Sequence, residues 1–376
     1  MVTEQSEPRD QESFEGIDTP WRTDPEVMIE HLGKWVAHTV GEGATVSDVR
    51  APEGNGMSSE TLLFTVQPPG GGTAEPYVAR LAPKADAKYP VFPDYDLALQ
   101  RDVMQLVADE TEVPVPGIAW YEPDASWLGS PFLVMHRVDG VVPADIPPYP
   151  FGGWLGDATA EEQERLERTS LRALAHLHRI TPDTHDLGFL ARPEHGESWL
   201  DQHLNYQRSY YDWGREGHTV PILERTFAAL EVTRPLEGPG VLNWGDSRIG
   251  NMIFADFEPA AVLDWEMAAI GPAEVDVAWM TFMHAFFQEI TERFGMVGMP
   301  DFLTRERALR IYEEEGGRPL EHLDWYEMFA ALRFGVVSVR TSLRTIAYGQ
   351  AEEVSDLDDL IMFKPTLEEM LAKAGF

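Results

Sequence analysis

The stretch VLNWGDSRIGNMIF, from Val241 to Phe254, sets a polar loop between two apolar, β-prone runs, and a further apolar run, Ala260 to Leu263, ends on Asp264. Asp246 is therefore followed five residues later by Asn251 and, one strand further on, by Asp264. Taken singly, each has a structural explanation. Asp246 and Asn251 suit a turn, and Asp264 suits the cap of a following helix. Their joint order, each beside an apolar strand, is a multi-part pattern, and such patterns recur by accident far less often than one residue does.

Asparagine five residues after aspartate, then a strand ending in a second aspartate, is the kinase-type order for phosphoryl transfer. That reaction needs an oriented hydroxyl, an in-line γ-phosphate and neutralisation of charge on the phosphate oxygens. Asp246 would orient the acceptor hydroxyl and take its proton, being ionised at neutral pH with an ordinary pKa of about 3.9. Asn251 and Asp264 offer the hard oxygen ligands that suit Mg2+, which keeps several waters and borrows phosphate oxygens, so two protein ligands suffice.

Upstream, Asp24 and Pro25 start a short helix whose Met28, Leu32, Trp35 and Val36 share one face. Three β-like runs follow at Thr45–Val49, Thr61–Val66 and Tyr77–Leu81, then a helix near Tyr95–Ala108 and strands near Ile118–Tyr121 and Phe132–Met135. This is the pattern of a compact α+β lobe. After a proline-rich linker, Val142–Pro150, helical periodicity dominates: Glu161–His178, Ser198–Trp213, Pro221–Leu230, Val275–Glu289, Arg305–Glu315 and Trp325–Arg344. The expected organisation is an acidic, disordered tail over 1–22, a small β-rich lobe over 23–137 and a larger, mainly helical lobe over 138–376.

In this order the chain resembles the aminoglycoside phosphotransferase family, and especially its branch similar to the phosphotransferase domains linked to acyl-CoA dehydrogenases. The family's histidine-glycine-aspartate, asparagine, and aspartate-tryptophan-glutamate correspond to Trp244, Gly245, Asp246, Asn251, Asp264, Trp265 and Glu266. Gly271, Pro272, Asp276, Ala278 and Trp279 continue the similarity, as do Asp324, Trp325, Tyr326 and Phe329. Trp244 replaces the family histidine, a buttress of the loop rather than the proton acceptor. The resemblance implies a protein-kinase-like two-lobed fold of the α+β class and an ATP- or GTP-dependent transfer to a hydroxyl of a small molecule.

It also implies a nucleotide site. Gly54, Gly56, Ser58 and Ser59 lie in a turn between two strands that would fold over phosphates, Arg80 stands where the family has its phosphate-contacting cation, and Asp102 aligns with that cation's carboxylate partner. Val134, Met135, His136 and Arg137 match the interlobe hinge that binds adenine. Arg248 and Glu266 are expected to support the centre.

Composition narrows the partners. The chain has 376 residues, 43% apolar, and no cysteine, which removes disulfides, thiolate metal sites and cysteine nucleophiles. Its 29 basic and 64 acidic residues give a net charge of -35, so nucleic acid would be repelled and a cationic acceptor such as an amino sugar attracted. Without a signal-like start or an apolar run of about 20 residues, the expectation is a cytoplasmic protein with no membrane partner. Two other readings stay in view: a nucleotide-binding regulatory pseudoenzyme, and a kinase of hydroxyacyl or other metabolite alcohols. Gly245, Asp246 and Ser247 also spell the start of a serine-hydrolase block. Neither histidine after Ser247, His284 or His322, has the aspartate three residues earlier that such enzymes use.

Overall fold

A computed structural model of the chain describes residues 25–52 and 59–376. The expected tail over 1–22 and the turn residues Gly54, Gly56 and Ser58 lie outside the described residues. The first helix, α1 (Pro25–Thr39), buries Met28, Leu32, Trp35 and Val36 as their spacing predicts. They pack in one core with the sheet residues Phe64, Tyr77, Ala79 and Phe132.

That sheet is antiparallel and five-stranded. Its strands are β1 (Thr45–Arg50), β2 (Glu60–Gln67), β3 (Glu75–Leu81), β4 (Ile118–Glu122) and β5 (Phe132–His136), arranged β1-β2-β3-β5-β4. Side chains alternate across it. Tyr77, Ala79 and Leu81 of β3, with Phe132 and Val134 of β5, enter the α1 core. Arg80 and the residue directly opposite it, Leu133, take the other face, as do Val78 and Met135.

Helix α2 (Leu97–Glu110), between β3 and β4, behaves differently from its place in the sequence. Its buried Val103, Met104 and Val107 join the core of the second lobe and not that of the sheet. The lobes are thus less separate than a boundary at 137 and 138 suggests. The chain leaves β5 and at once rejoins the second lobe, where Val141 and Phe254 exchange backbone hydrogen bonds of 2.9 and 2.8 Å.

The second lobe packs helices around two small two-stranded sheets. The helices are α3 (Gly153–Gly156), α4 (Ala160–Leu177), α5 (Trp199–Gly214), α6 (Pro221–Val232), α7 (Glu274–Arg293), α8 (Arg305–Glu314), α9 (Leu323–Ala347) and α10 (Lys364–Ala374). The two-stranded sheets are β6 (Gly240–Asn243) with β9 (Ala269–Pro272), and β7 (Met252–Ala255) with β8 (Glu258–Val262). Capping boxes start α4 at Thr159 and Glu162, and α5 at Ser198 and Asp201. No helix among the described residues is long and apolar enough to cross a membrane.

Buried His284 on α7 ties the linker to a neighbouring loop: its Nε2–H donates to the Met299 carbonyl at 3.1 Å, and Nδ1 accepts from the Tyr149 hydroxyl at 2.8 Å. Burial pushes its pKa down to about 4. The unfolded chain takes up a proton near the ordinary value of about 6.5, while the folded state refuses it until far lower pH. This contribution is therefore complete above about pH 6.5 and is lost as pH falls toward 4. Thermal unfolding followed from about pH 7 to about pH 5 is expected to show a shallower loss of stability for His284→Gln than for wild type; equal slopes would contradict the assignment.

Candidate active site

The polar loop leaves β6 through Gly245, whose φ of +90° lies in the left-handed region and where a Cβ would collide with the Met267 carbonyl. Only glycine fits both demands. The loop is then anchored on one fully buried carboxylate, Asp276 in the first turn of α7. Its Oδ2 accepts the Trp244 amide at 2.7 Å and its Oδ1 the Gly245 amide at 2.9 Å. His178 Nε2 lies 3.1 Å from the same Oδ2, and His178 Nδ1 lies 2.8 Å from the Tyr312 hydroxyl. Burial alone would raise the pKa of Asp276, but the His178 contact and the two amides outweigh it and hold the carboxyl below its ordinary range. Ser247 is also buried and donates its hydroxyl to the Asp276 carbonyl at 2.8 Å. It is a structural residue here, not an exposed nucleophile.

With its backbone so fixed, the loop presents Asp246. The Trp279 indole donates to Oδ1 at 2.8 Å, and Arg248 Nε lies 3.1 and 3.3 Å from the two carboxylate oxygens. Arg248 also pairs with Asp145 from the linker. Burial opposes the charge on this guanidinium, but Asp246 and Asp145 override it and raise its pKa.

Asn251 and Asp264 come to the same place. The Asn251 side-chain N–H donates to the Asp246 carbonyl at 3.1 Å, which makes its amide oxygen the accepting end. The Asn251 carbonyl accepts the Leu263 amide at 2.9 Å, one residue before Asp264, and the Trp244 indole donates to the Leu263 carbonyl at 2.8 Å. Trp244 thus braces the loop against the strand that carries Asp264. Asp264 itself has φ +65°, an uncommon backbone for a residue with a side chain and one that concentrates at functional sites. An amide oxygen beside a carboxylate is a donor set that fits a small hard cation.

In the first lobe, Arg80 reaches across to Asp264 and, at 2.6 Å, to Glu266. Burial disfavours its charge, but these two carboxylates raise its pKa. The expected partner Asp102 is a correction. It pairs at 2.7 Å with its neighbour Arg101 and is exposed, because the buried stripe of α2 runs through Leu97, Gln100, Val103, Met104 and Val107, which turns position 102 outward. The hinge expectation also changes in detail. The Val134 side chain enters the α1 core, so Leu133 and Met135 share the face of Arg80. The His136 amide donates to the Gly117 carbonyl and the Arg137 amide to the Pro76 carbonyl, while the Arg137 guanidinium pairs with Asp139. Ser59 lies directly before β2, at the edge of the undescribed turn.

Four supports of the loop were assigned no role by the sequence reading. His178 sits two residues from His176 and reads as ordinary packing. Asp276 and Trp279 stand out only as part of a resemblance. No local pattern marks Arg333 on α9, buried beneath the loop with Nη2 donating to the Gly245 carbonyl at 2.7 Å.

A family model described as the phosphotransferase enzyme family matches residues 53–312. Among curated proteins, the chain is 25% identical over 310 residues to probable acyl-CoA dehydrogenase IBR3 of Arabidopsis thaliana, covering 77% of this chain and 35% of that protein. It is 24% identical to acyl-CoA dehydrogenase family member 10 of Mus musculus, covering 69% and 24% respectively. The chain therefore spans well under half the length of these relatives. Among solved structures, a provisionally named aminoglycoside phosphotransferase of Ralstonia eutropha aligns with a TM-score of 0.64 at 22% identity, covering 92% of this chain and 97% of that one. The macrolide 2'-phosphotransferase MphH of Brachybacterium faecium aligns at 0.55 and 18%, covering 88% and 98%. At these identities the structural matches speak for a shared fold.

Proposed function

Because the chain belongs to the phosphotransferase enzyme family, we propose that it moves the γ-phosphate of ATP or GTP to a hydroxyl of a small molecule, with Asp246 as proton acceptor. The observation that carries this reading is the fixing of the Asp246 carboxylate by Trp279 and Arg248, on a loop whose Asp246 carbonyl is held by the Asn251 amide, itself tied by its backbone carbonyl to Leu263, the residue before Asp264. A carboxylate aimed by two donors, with its loop anchored on Asp276, is ready to orient a hydroxyl and needs no rearrangement to receive its proton.

In the transfer, the acceptor oxygen forms a bond to γ-phosphorus as the bond from γ-phosphorus to the β-γ bridging oxygen breaks. The nucleoside diphosphate leaves with that electron pair, and the acceptor proton passes to Asp246, which later releases it to solvent. Asn251 and Asp264 would hold Mg2+, which when bound neutralises charge on the phosphate oxygens. Arg80 stands within reach of the same charge. Its present ion pairs with Asp264 and Glu266 keep it on the cleft face of β3, where a phosphate could take over one of its donors.

The acceptor is a small hydroxylated compound. An amino sugar suits the acidic surface, and a hydroxyacyl compound suits relatives named as acyl-CoA dehydrogenases. A nucleotide-binding regulator is the second reading, motivated by the engagement of Arg80 with the would-be metal ligand. Titration with magnesium and AMP-PNP tests the metal assignment. Asp264→Ala is expected to weaken binding by about tenfold or more, given the loss of a charged ligand. Equal affinity in variant and wild type would sink it.

A further inference from the structure

Arg333 is 2% exposed, and among the described residues its Nε and Nη1 have no hydrogen-bond partner. Among the described residues it forms no ion pair, whereas buried Arg340 on the same helix pairs with Glu216. Burial pushes its pKa down to about 10, against the pull of Asp276 and Asp246. Such a group is costly, and replacing a buried charge with an apolar side chain of similar shape is often neutral or stabilising. A protein selected for stability alone would gain from losing it.

What Arg333 does touch is informative. Nη2 donates to the carbonyl of Gly245, the residue immediately before Asp246. The guanidinium lies 4.4 Å from the centre of the Trp279 ring, and the indole N–H of Trp279 donates to Asp246 Oδ1. One side chain thus holds the peptide that leads into Asp246 and supports the ring that aims its carboxylate. The ring centre of Phe329, one turn earlier on α9, lies 5.8 Å from the guanidinium.

We propose that Arg333 is a positioning residue for Asp246, acting through the Gly245 carbonyl and the Trp279 indole. The inference rests on the reading of Asp246 as proton acceptor, and it concerns geometry that can be measured without any acceptor. A cation over tryptophan in a desolvated site and a charged hydrogen bond to a carbonyl are each strong enough to fix a ring and a loop. A misplacement of about 1 Å at the reacting group costs about a hundredfold in rate.

The test uses the full chain with AMP-PNP, its tryptophans labelled with nitrogen-15, and the indole N–H signal of Trp279 assigned by comparison with Trp279→Phe. In Arg333→Met that signal is expected to move toward the position of a free indole, while the thermal midpoint stays level or rises and AMP-PNP affinity stays within about twofold. Arg333→Lys, which keeps the cation, is expected to hold the signal near its wild-type position. Arg333→Gln, which keeps a donor for Gly245 but no charge over the ring, is expected to fall between them, and it decides the matter with the lysine variant if the methionine variant does not fold. An unmoved signal in Arg333→Met, or in Arg333→Gln where Met does not fold, overturns the proposal, because a purely structural arginine would leave the Trp279 hydrogen bond intact. Failure of the wild type to bind AMP-PNP would count against the nucleotide reading instead and would leave the indole result standing.

Discussion

Asp246→Asn is expected to lower phosphoryl transfer by about a thousandfold or more while leaving affinity for magnesium and AMP-PNP within about twofold of wild type. The substitution is nearly isosteric. The asparagine oxygen can still accept from the Trp279 indole, and Arg248 keeps Asp145 as a partner, so the loop should hold its shape. What disappears is the group able to take a proton from the acceptor hydroxyl. General-base catalysis of this kind is worth about a hundred- to ten-thousandfold, which sets the scale. Nucleotide titration checks that the site survives. A variant that retained most of its turnover would show that Asp246 is not the proton acceptor.

Asp276→Ala is expected to produce the largest structural effect, a loss of about 3–5 kcal/mol of stability together with loss of transfer. Three donors converge on this carboxylate inside the protein, the amides of Trp244 and Gly245 and the ring of His178. Removal strands all of them in a dry environment and frees the loop that carries Asp246. The pH dependence has a definite sign. The folded-state pKa of Asp276 lies below its ordinary value, so its contribution is complete above about pH 4 and is lost as pH falls through the folded-state value. Chemical denaturation at neutral pH measures the stability difference, and that difference should shrink in strong acid. A variant with wild-type stability would refute the anchoring role.

Much of this was legible in the chain. The apolar alternation around Tyr77–Leu81 and the helical spacing of Met28, Leu32, Trp35 and Val36 fix where the first lobe buries its faces. The order Asp246, Asn251, Asp264 places three polar side chains at one end of the β6 to β8 region. The parts that escaped depend on information that lies far apart in sequence. Arg80 finds Asp264 and Glu266, about 185 positions away, and the expected helix partner Asp102 turns outward because the inward stripe of α2 is set by packing on the second lobe. Strand β9 is four residues long and ends in Gly271 and Pro272, and only its pairing with Gly240 to Asn243 makes it a strand. Helix α10 buries only Leu367 and Leu371, too thin a stripe to announce itself. Arg333 is one of three arginines on α9 and takes on meaning only once Gly245 and Trp279 are seen against it.

The acidic segment near Glu352–Asp359 and the loop near Thr291–Asp301 are candidate readers of the acceptor by sequence alone. Both make local contacts. Asp358 accepts the Ile222 amide at the start of α6, and Lys364 pairs with Asp356 and Asp359. In the loop, Met299 engages Gln288 and His284. These contacts engage Asp356, Asp358, Asp359 and Gln288 within the protein.

The most direct test of the central claim is release of ADP from magnesium-ATP across a panel of amino sugars, hydroxyacyl compounds and other small alcohols, with Asp246→Asn as the blank. The account predicts turnover that depends on one class of hydroxyl acceptor and vanishes in the variant. Acceptor-dependent turnover that persists in Asp246→Asn would contradict it.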